Sequence, residues 1–119
     1  METKDLPNLR RVARSGAVTY TGHALDQMLD RGIKTDDVEE ILGSSTNQLI
    51  EVQSPSVTSG KCHKDERILI YDPEHDPDAI AVITLQFNPG VELLVITAEM
   101  PKTDIWDKII GRNPTLIRK

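Results

Sequence analysis

Apolar residues recur every three or four positions through the first third of the chain, a spacing that predicts three short helices. The first helix is expected over residues 6–14 and is ended by Ser15-Gly16, the second over 21–31, and the third from Thr35, as its cap, to Gly43. The predicted inward-facing positions are Leu6, Leu9, Val12 and Ala13, then Ala24, Leu25, Met28 and Leu29, and then Val38, Ile41 and Leu42.

From residue 47 onward, alternating and continuous apolar runs replace the helical spacing and predict strands. The last two runs are apolar on both faces for part of their length, which is typical of central strands. A turn-rich loop is expected over 54–60, a polar hairpin loop over 72–78 and a tight turn at Asn88-Pro89-Gly90. The four predicted strands are 47–53, 67–72, 79–87 and 91–100.

The chain end predicts one more helix, because Ile105, Trp106, Ile109 and Ile110 follow Pro101 at helical spacing. The expected fold is therefore α+β, with N-terminal helices packed on a four-stranded, mainly antiparallel sheet and a C-terminal helix. A length of 119 residues is typical of a single domain. Its predicted parts are a helical region at 5–43, a sheet at 47–100 and a helix at 103–111.

The formal net charge of −5 disfavours nucleic-acid binding at first sight, but the basic residues are unevenly placed. Residues 35–60 and 72–99 contain no lysine or arginine, whereas 1–34, 61–71 and 100–119 each carry a net positive charge. If the fold joins those three segments, the acidic protein has a basic cleft. Alternatively, the arginines at 10, 11 and 14 form a solvated helix face.

Cys62 is the only cysteine, which excludes an internal disulfide and suits a reducing compartment. The charged N-terminus is followed by no apolar run, so neither a signal peptide nor a membrane span is predicted. We therefore expect a cytoplasmic protein without a membrane partner, unless a larger protein or a dedicated machine delivers it elsewhere. With one Trp, two Tyr and one Phe, the chain also lacks the aromatic residues of a base-stacking platform.

The predicted second helix carries a histidine in its first turn. Thr21 is the expected N-cap and Gly32 the expected stop, which places His23 on the side away from the core, with Arg31 at the edge of that side. The positive end of the helix dipole favours a neutral imidazole, the form that a general base requires. The alternative is an ordinary solvated histidine.

The sequence gives little indication of a metal site, a phosphate-binding loop or a serine nucleophile. The spacing of His23, Cys62-His63 and His75 is not typical of zinc sites, and residues 72–78 lack the spacing of a calcium loop. There is no glycine-rich phosphate loop and no serine-elbow motif. We therefore predict neither a metal nor a cofactor.

Metal-free RNA cleavage needs a base for the 2′-hydroxyl, an acid for the leaving oxygen and cations for the charged phosphorane. His23 and His63 are the candidates for the two proton transfers. Each candidate also has a plainer explanation. His63 and Lys64 can be ordinary polar loop residues, Arg67 can form a surface ion pair, and Thr97 can be present for its β propensity. The candidates for binding phosphate are Arg31, Lys61, Lys64, Arg67 and, through its hydroxyl, Thr97.

The residues from His23 to Ile33, followed by Asp37, Val38 and Leu42, resemble the opening of a small bacterial domain family of unknown function. That opening is His-Ala-x-x-Arg-Met-x-x-Arg-Gly-Ile, then Asp-Val-x-x-x-Leu, and Gln27 stands here in place of its first arginine. The family resembles the superfold of barnase, EndoU, colicin ribonuclease domains and RelE-like toxins. The resemblance implies RNA cleavage with His23 and basic residues in the site, and membership of toxin modules.

The combined expectation is a metal-independent endoribonuclease-like toxin domain that cleaves RNA by acid–base chemistry. Such an enzyme must be silenced in its own cell, so a cognate antitoxin or immunity protein is the expected partner. The alternative is a non-catalytic immunity or regulatory module on the same scaffold. The acidic charge and Gln27 favour this alternative, whereas His23 and the basic segments favour the enzyme.

Overall fold

The computed structural model describes residues 3–53, 56–58, 61–63, 66–75, 82–88, 92–99, 104–108, 111 and 113–119. A short 3-10 turn precedes three α-helices, which are α1 (Leu6–Arg14), α2 (Gly22–Arg31) and α3 (Thr35–Gly43). The strands are β1 (Val18–Tyr20), β2 (Gln48–Gln53), β3 (Ser56–Thr58), β4 (Lys61–His63), β5 (Arg67–Tyr71), β6 (Val82–Asn88), β7 (Glu92–Glu99), β8 (Trp106–Lys108) and β9 (Leu116–Arg118).

A five-stranded mixed sheet in the order β1-β7-β6-β5-β2 forms the centre of the fold. Strands β2, β5, β6 and β7 pair antiparallel, whereas β1 runs parallel to β7. Strand β6 is the middle strand and has β7 beside it, so the predicted central position of the last two runs is confirmed. Two further two-stranded sheets are made by β3 with β4 and by β8 with β9.

The predicted four-stranded, mainly antiparallel sheet with a C-terminal helix is wrong in two places. Val18–Tyr20 forms a parallel edge strand, but three residues are too few to show an alternating pattern. Trp106–Lys108 pairs with Leu116–Arg118 where the helix was predicted. Aromatic and β-branched residues favour strands, and the partner strand that decides the outcome lies eight or more residues further along the chain. The predicted inward positions Ile109 and Ile110 lie outside the described residues.

Two local expectations also needed correction. The loop predicted over 54–60 contains strand β3, which pairs with Lys61–His63 as a small hairpin. Helix α3 is capped one residue earlier than expected, at Lys34, whose N–H donates to the Asp37 carboxylate at 3.2 Å. Residues 76–78 of the predicted 72–78 loop and the turn residues Pro89 and Gly90 lie outside the described residues, whereas 72–75 form a turn after β5.

The sheet separates two apolar clusters. The larger cluster joins the inward positions of the helices to the residues of β5, β6 and β7 that face them, such as Ile68, Leu85 and Val95. On the other face, Leu69 and Tyr71 pack against Trp106 and Leu116 of the C-terminal hairpin. The predicted inward positions are buried except Leu25 and Leu29, which are 45% and 82% exposed, so only a narrow stripe of α2 contacts the sheet.

Asn47 is a buried polar junction between α1, α3 and β2. Its Nδ2 donates to the carbonyls of Ile41 and Leu42 at 2.9 and 3.0 Å, so it satisfies backbone acceptors at the end of α3. From α1, Arg10 Nε donates to Asn47 Oδ1 at 2.7 Å and Arg10 Nη2 to the Asn47 carbonyl at 2.9 Å. Every polar group of this side chain is therefore used in fixing the helices to the start of the sheet.

Replacement of Asn47 by alanine leaves the two α3 carbonyls and Arg10 Nε without their partner, whereas Arg10 Nη2 keeps the backbone carbonyl of residue 47. We expect the free energy of unfolding to fall by about 2–3 kcal/mol, because unpaired buried polar groups keep their desolvation cost. Chemical denaturation measures this loss. The matched control is Asn8→Ala, which removes only an exposed hydrogen bond from Arg11 and should cost less than about 0.5 kcal/mol. Equal losses in the two variants would contradict the role assigned to Asn47.

An ion pair attaches the C-terminal hairpin to the edge of the sheet. Arg118 donates to both carboxylate oxygens of Glu51, at 2.8 and 3.2 Å, and its guanidinium lies 4.7 Å from the centre of the Trp106 ring. Burial alone would raise the pKa of Glu51, but the hydrogen bonds from Arg118 and Gln53 outweigh it and hold that pKa below its usual value. The paired, ionised form of Glu51 is thus favoured in the folded state.

Because the folded-state pKa of Glu51 is depressed, its stabilisation is present above the unfolded-state pKa and is lost as pH falls through the folded-state pKa. Between about pH 5 and pH 3, we expect the wild type to lose more free energy of unfolding than Glu51→Gln does. Urea denaturation at a series of pH values provides the comparison. Parallel pH curves for the two proteins would show that this pair contributes nothing to the pH dependence.

Candidate functional site

Helix α2 is anchored to β7 at both ends, and its local sequence sets where it begins and stops. The Thr21 hydroxyl accepts a hydrogen bond from the Ala24 N–H at 3.1 Å and donates one to the Ile96 carbonyl at 3.4 Å. The Thr21 N–H donates to the Val95 carbonyl. Gly32 ends the helix with φ of 68°, a left-handed conformation that favours glycine. The predicted cap and stop are therefore confirmed. Ile96 is the extra residue of a β-bulge against β6, so α2 begins beside an irregularity of the sheet.

His23, Gln27 and Arg31 lie four residues apart along α2 and form one row, which we call the α2 row. Gln27 Nε2 is 2.9 Å from His23 Nε2. The Gln27 amide NH2 donates to this nitrogen when the proton of the neutral ring is on Nδ1. His23 is exposed, as predicted, and its Nε2 faces the Gln27 side chain on the next turn of the helix.

Arg31 ends the α2 row against the last residues of β7. Its Nη1 donates to the Ala98 carbonyl at 3.4 Å, and its Nη2 lies 3.8 Å from a carboxylate oxygen of Glu99. The two side chains are 33% and 40% exposed, so water screens the pair. A phosphate approaching Arg31 would compete with one partly solvated carboxylate.

The sheet places Arg67 and Thr97 on the face opposite to the helices. Thr97 pairs with Thr84, which lies between the helix-facing residues Ile83 and Leu85. Directly paired residues share a face and neighbours along a strand alternate, so Thr97 faces away from the helices. By the same alternation, Arg67 shares the face of Leu69.

The predicted site residues therefore fall into three groups. His23 and Arg31 share the α2 row, whereas Arg67 and Thr97 belong to the far face of the sheet. Strand β4 contains Lys61 and His63, but their side chains and all of Lys64 lie outside the described residues.

The structure adds a cluster that sequence reasoning missed. His75 Nε2 lies 3.8 Å from Asp37 Oδ1, and His75 Nδ1 lies 3.9 Å from Glu40 Oε2. One nitrogen or oxygen from each of the three residues lies within 4.8 Å of the others, a set that could hold a metal ion. Asp37 and Glu40 are three residues apart on α3, which is a visible signal, but nothing local indicates that His75 packs beside them.

Tyr20 connects β1 to the start of α3, because its hydroxyl donates to the Thr35 carbonyl at 3.3 Å. Burial, followed by the nearby carboxylates of Glu39 and Asp36, raises the pKa of Tyr20 well above its usual value. Tyr20 is therefore a neutral hydrogen-bond donor at physiological pH.

A cavity of about 440 Å³ lies beside the C-terminal hairpin, and none of the described site candidates lines it. Its described lining residues are Gln48, Pro73, Glu74, Lys108, Gly111, Asn113 and Thr115. Within the described residues, the helices are too short and too polar to cross a bilayer.

The family model of a domain of unknown function, DUF4258, matches residues 20–110 of the chain. The chain belongs to the DUF4258 family. The match includes the whole α2 row and the Asp37–Glu40–His75 cluster of this DUF4258 domain. A comparison with curated proteins finds no match, and a comparison with solved structures also finds none.

The Gln27 contact predicts the tautomer of His23. At a pH where the ring is neutral, we expect two-bond ¹H–¹⁵N spectra to show the proton on Nδ1, because Gln27 donates to Nε2. In Gln27→Ala, the Nδ1–H population should fall. Asp30→Asn, a change on the exposed side of the same helix, should leave the tautomer unaltered. A predominant Nε2–H form in the wild type would contradict the contact.

Proposed function

We propose that this DUF4258 domain is a metal-independent endoribonuclease-type toxin domain, with its chemistry centred on the α2 row. The supporting observation is the 2.9 Å contact that orients the exposed His23 imidazole through Gln27, with Arg31 further along the same row. Ordered general bases on rigid elements are what acid–base catalysis requires.

In the proposed reaction, His23 Nε2 accepts the proton of an RNA 2′-hydroxyl, which displaces the Gln27 amide from that nitrogen. The resulting alkoxide attacks the adjacent phosphorus, the bond to the 5′-oxygen breaks, and a 2′,3′-cyclic phosphate remains. Arg31 offers its guanidinium to the charged phosphorane once the phosphate displaces the screened Glu99 carboxylate. His63 is the proposed acid that protonates the leaving 5′-oxygen. Since Arg67 and Thr97 face the other side of the sheet, the proposal rests on the α2 row.

A second candidate function is supported by the exposed leucines of the same helix. Leu29 is 82% and Leu25 45% exposed, on the flank of α2 away from the α2 row. Paired apolar residues exposed on one helix are typical of a surface that a partner protein covers. A non-catalytic regulatory module would use this flank for binding, and the antitoxin or immunity protein of a toxin would use it for inhibition.

The test is incubation of the purified chain with bacterial RNA in the presence of EDTA, followed by mapping of new ends. We expect cleavage that leaves 2′,3′-cyclic phosphates and falls by about 10²–10⁴-fold in His23→Ala, the usual contribution of one proton-transfer group. The matched control His75→Gln changes a histidine outside the α2 row and should cleave normally. Absence of cleavage over a range of pH and salt would reject the enzyme and favour the binding module.

A separate prediction distinguishes a catalytic role of His23 from a structural one. Since the side chain is exposed and bonded only to Gln27 among described residues, His23→Ala should change the free energy of unfolding by no more than about 0.5 kcal/mol. Thermal unfolding provides the measurement. A drop of several degrees in Tm would mean that lost cleavage reflects lost folding.

A further inference from the structure

We propose that Asp37, Glu40 and His75 form a zinc-binding site that joins α3 to the segment after β5. This site is independent of the proposed RNA chemistry, which is expected to persist in EDTA. The three residues combine one imidazole with two carboxylates, and one potential ligand atom from each lies within 4.8 Å of the others.

The state of His75 is the observation that points to a ligand. Its side chain is only 10% exposed, and Nε2 is buried without a hydrogen-bond partner. The distances of 3.8 Å to Asp37 and 3.9 Å to Glu40 are too long for hydrogen bonds. Buried polar nitrogens are rarely left unpaired, and this one faces the Asp37 carboxylate across a gap of 3.8 Å, while Glu40 lies beside Nδ1.

The space between the His75 imidazole and the Asp37 carboxylate has a size that suits a cation. Ligand atoms around tetrahedral zinc, each about 2.0–2.2 Å from the metal, lie about 3.3 Å apart. The observed separation of 3.8 Å between His75 Nε2 and Asp37 Oδ1 therefore needs to shorten by a few tenths of an ångström. Glu40, whose side chain is 70% exposed, is free to swing in as the third ligand. A fourth position would remain for water.

Local structure holds two of the three ligands in place. The Asp72 carboxylate accepts hydrogen bonds from Thr46 Oγ1 at 2.7 Å and from Glu74 N–H at 3.0 Å, and His75 N–H lies 3.3 Å from the Asp72 carbonyl. This turn presents His75 to α3. Asp37 Oδ2 accepts the Lys34 N–H, which leaves Oδ1 directed at the imidazole.

The ligand set selects zinc over the common hard cations. Mg²⁺ and Ca²⁺ prefer oxygen ligands throughout, whereas imidazole with carboxylates suits Zn²⁺. The alternative without a metal is a His75 imidazole that lies between the two carboxylates with no ion bound. Only the zinc site predicts that added zinc binds to the chain and raises its Tm.

The experiment is a titration of the metal-free chain with Zn²⁺ by calorimetry, together with thermal unfolding at each zinc concentration. We expect one ion per chain and a Tm that rises with zinc, because a ligand of the folded state stabilises it. Both effects should disappear in Asp37→Asn and in His75→Gln. Asp36→Asn, which alters the neighbouring carboxylate of the same helix, should bind as the wild type does.

Two further measurements identify the ligands. Cys62→Ser and His23→Gln should retain zinc binding, and the Co²⁺-substituted chain should lack a thiolate charge-transfer band. Circular dichroism confirms that each variant is folded. The proposal is overturned if the wild type binds no zinc, if His75→Gln still binds it, or if binding depends on Cys62 or His23. Because RNA cleavage is measured in EDTA, its absence would leave the zinc result unchanged.

Discussion

The arrangement of the helices depends on one buried amide. Asn47 immediately precedes β2, supplies donors to the last carbonyls of α3 and receives Arg10 from α1. Helix ends buried against a core need such partners, because their free carbonyls have lost water. With α1 and α3 fixed to the first residue of the sheet, Asp37 and Glu40 are fixed relative to the strands. The position of the Asp37–Glu40–His75 cluster therefore depends in part on Asn47, whose neighbour Thr46 also bonds the Asp72 turn that carries His75.

Local sequence predicted the helices well and the small strands poorly, for a physical reason. Helix α2 is specified by Thr21 and Gly32, whose effects act within a few residues. Strands β1 and β8 have three residues each, and their hydrogen bonds come from segments elsewhere in the chain. The isoleucines and the tryptophan after Pro101 fit a helical spacing equally well, so only the pairing with Leu116–Arg118 resolves that ambiguity.

The candidate sites divide in the same way. The α2 row follows from the four-residue spacing of its members along one helix. The sequence alone therefore places His23 and Arg31 on the same helix. The face occupied by Thr97 depends on register, because one residue of slippage moves a side chain to the other side of a sheet. The cluster at His75 depends on the Asp72 turn, which brings together residues nearly forty positions apart.

The helix layer leaves its outward faces available because it buries so little of each helix. Helix α1 turns all four predicted apolar residues into the core, whereas α2 buries only Ala24 and Met28. The remaining turns of α2 carry an oriented histidine on one flank and exposed leucines on the other. Exposed apolar side chains do not stabilise an isolated domain, so the packing of this chain does not explain Leu25 and Leu29 on the flank opposite the α2 row. One helix therefore presents two chemically different surfaces, and the buried stripe of Ala24 and Met28 between them fixes both surfaces to the sheet.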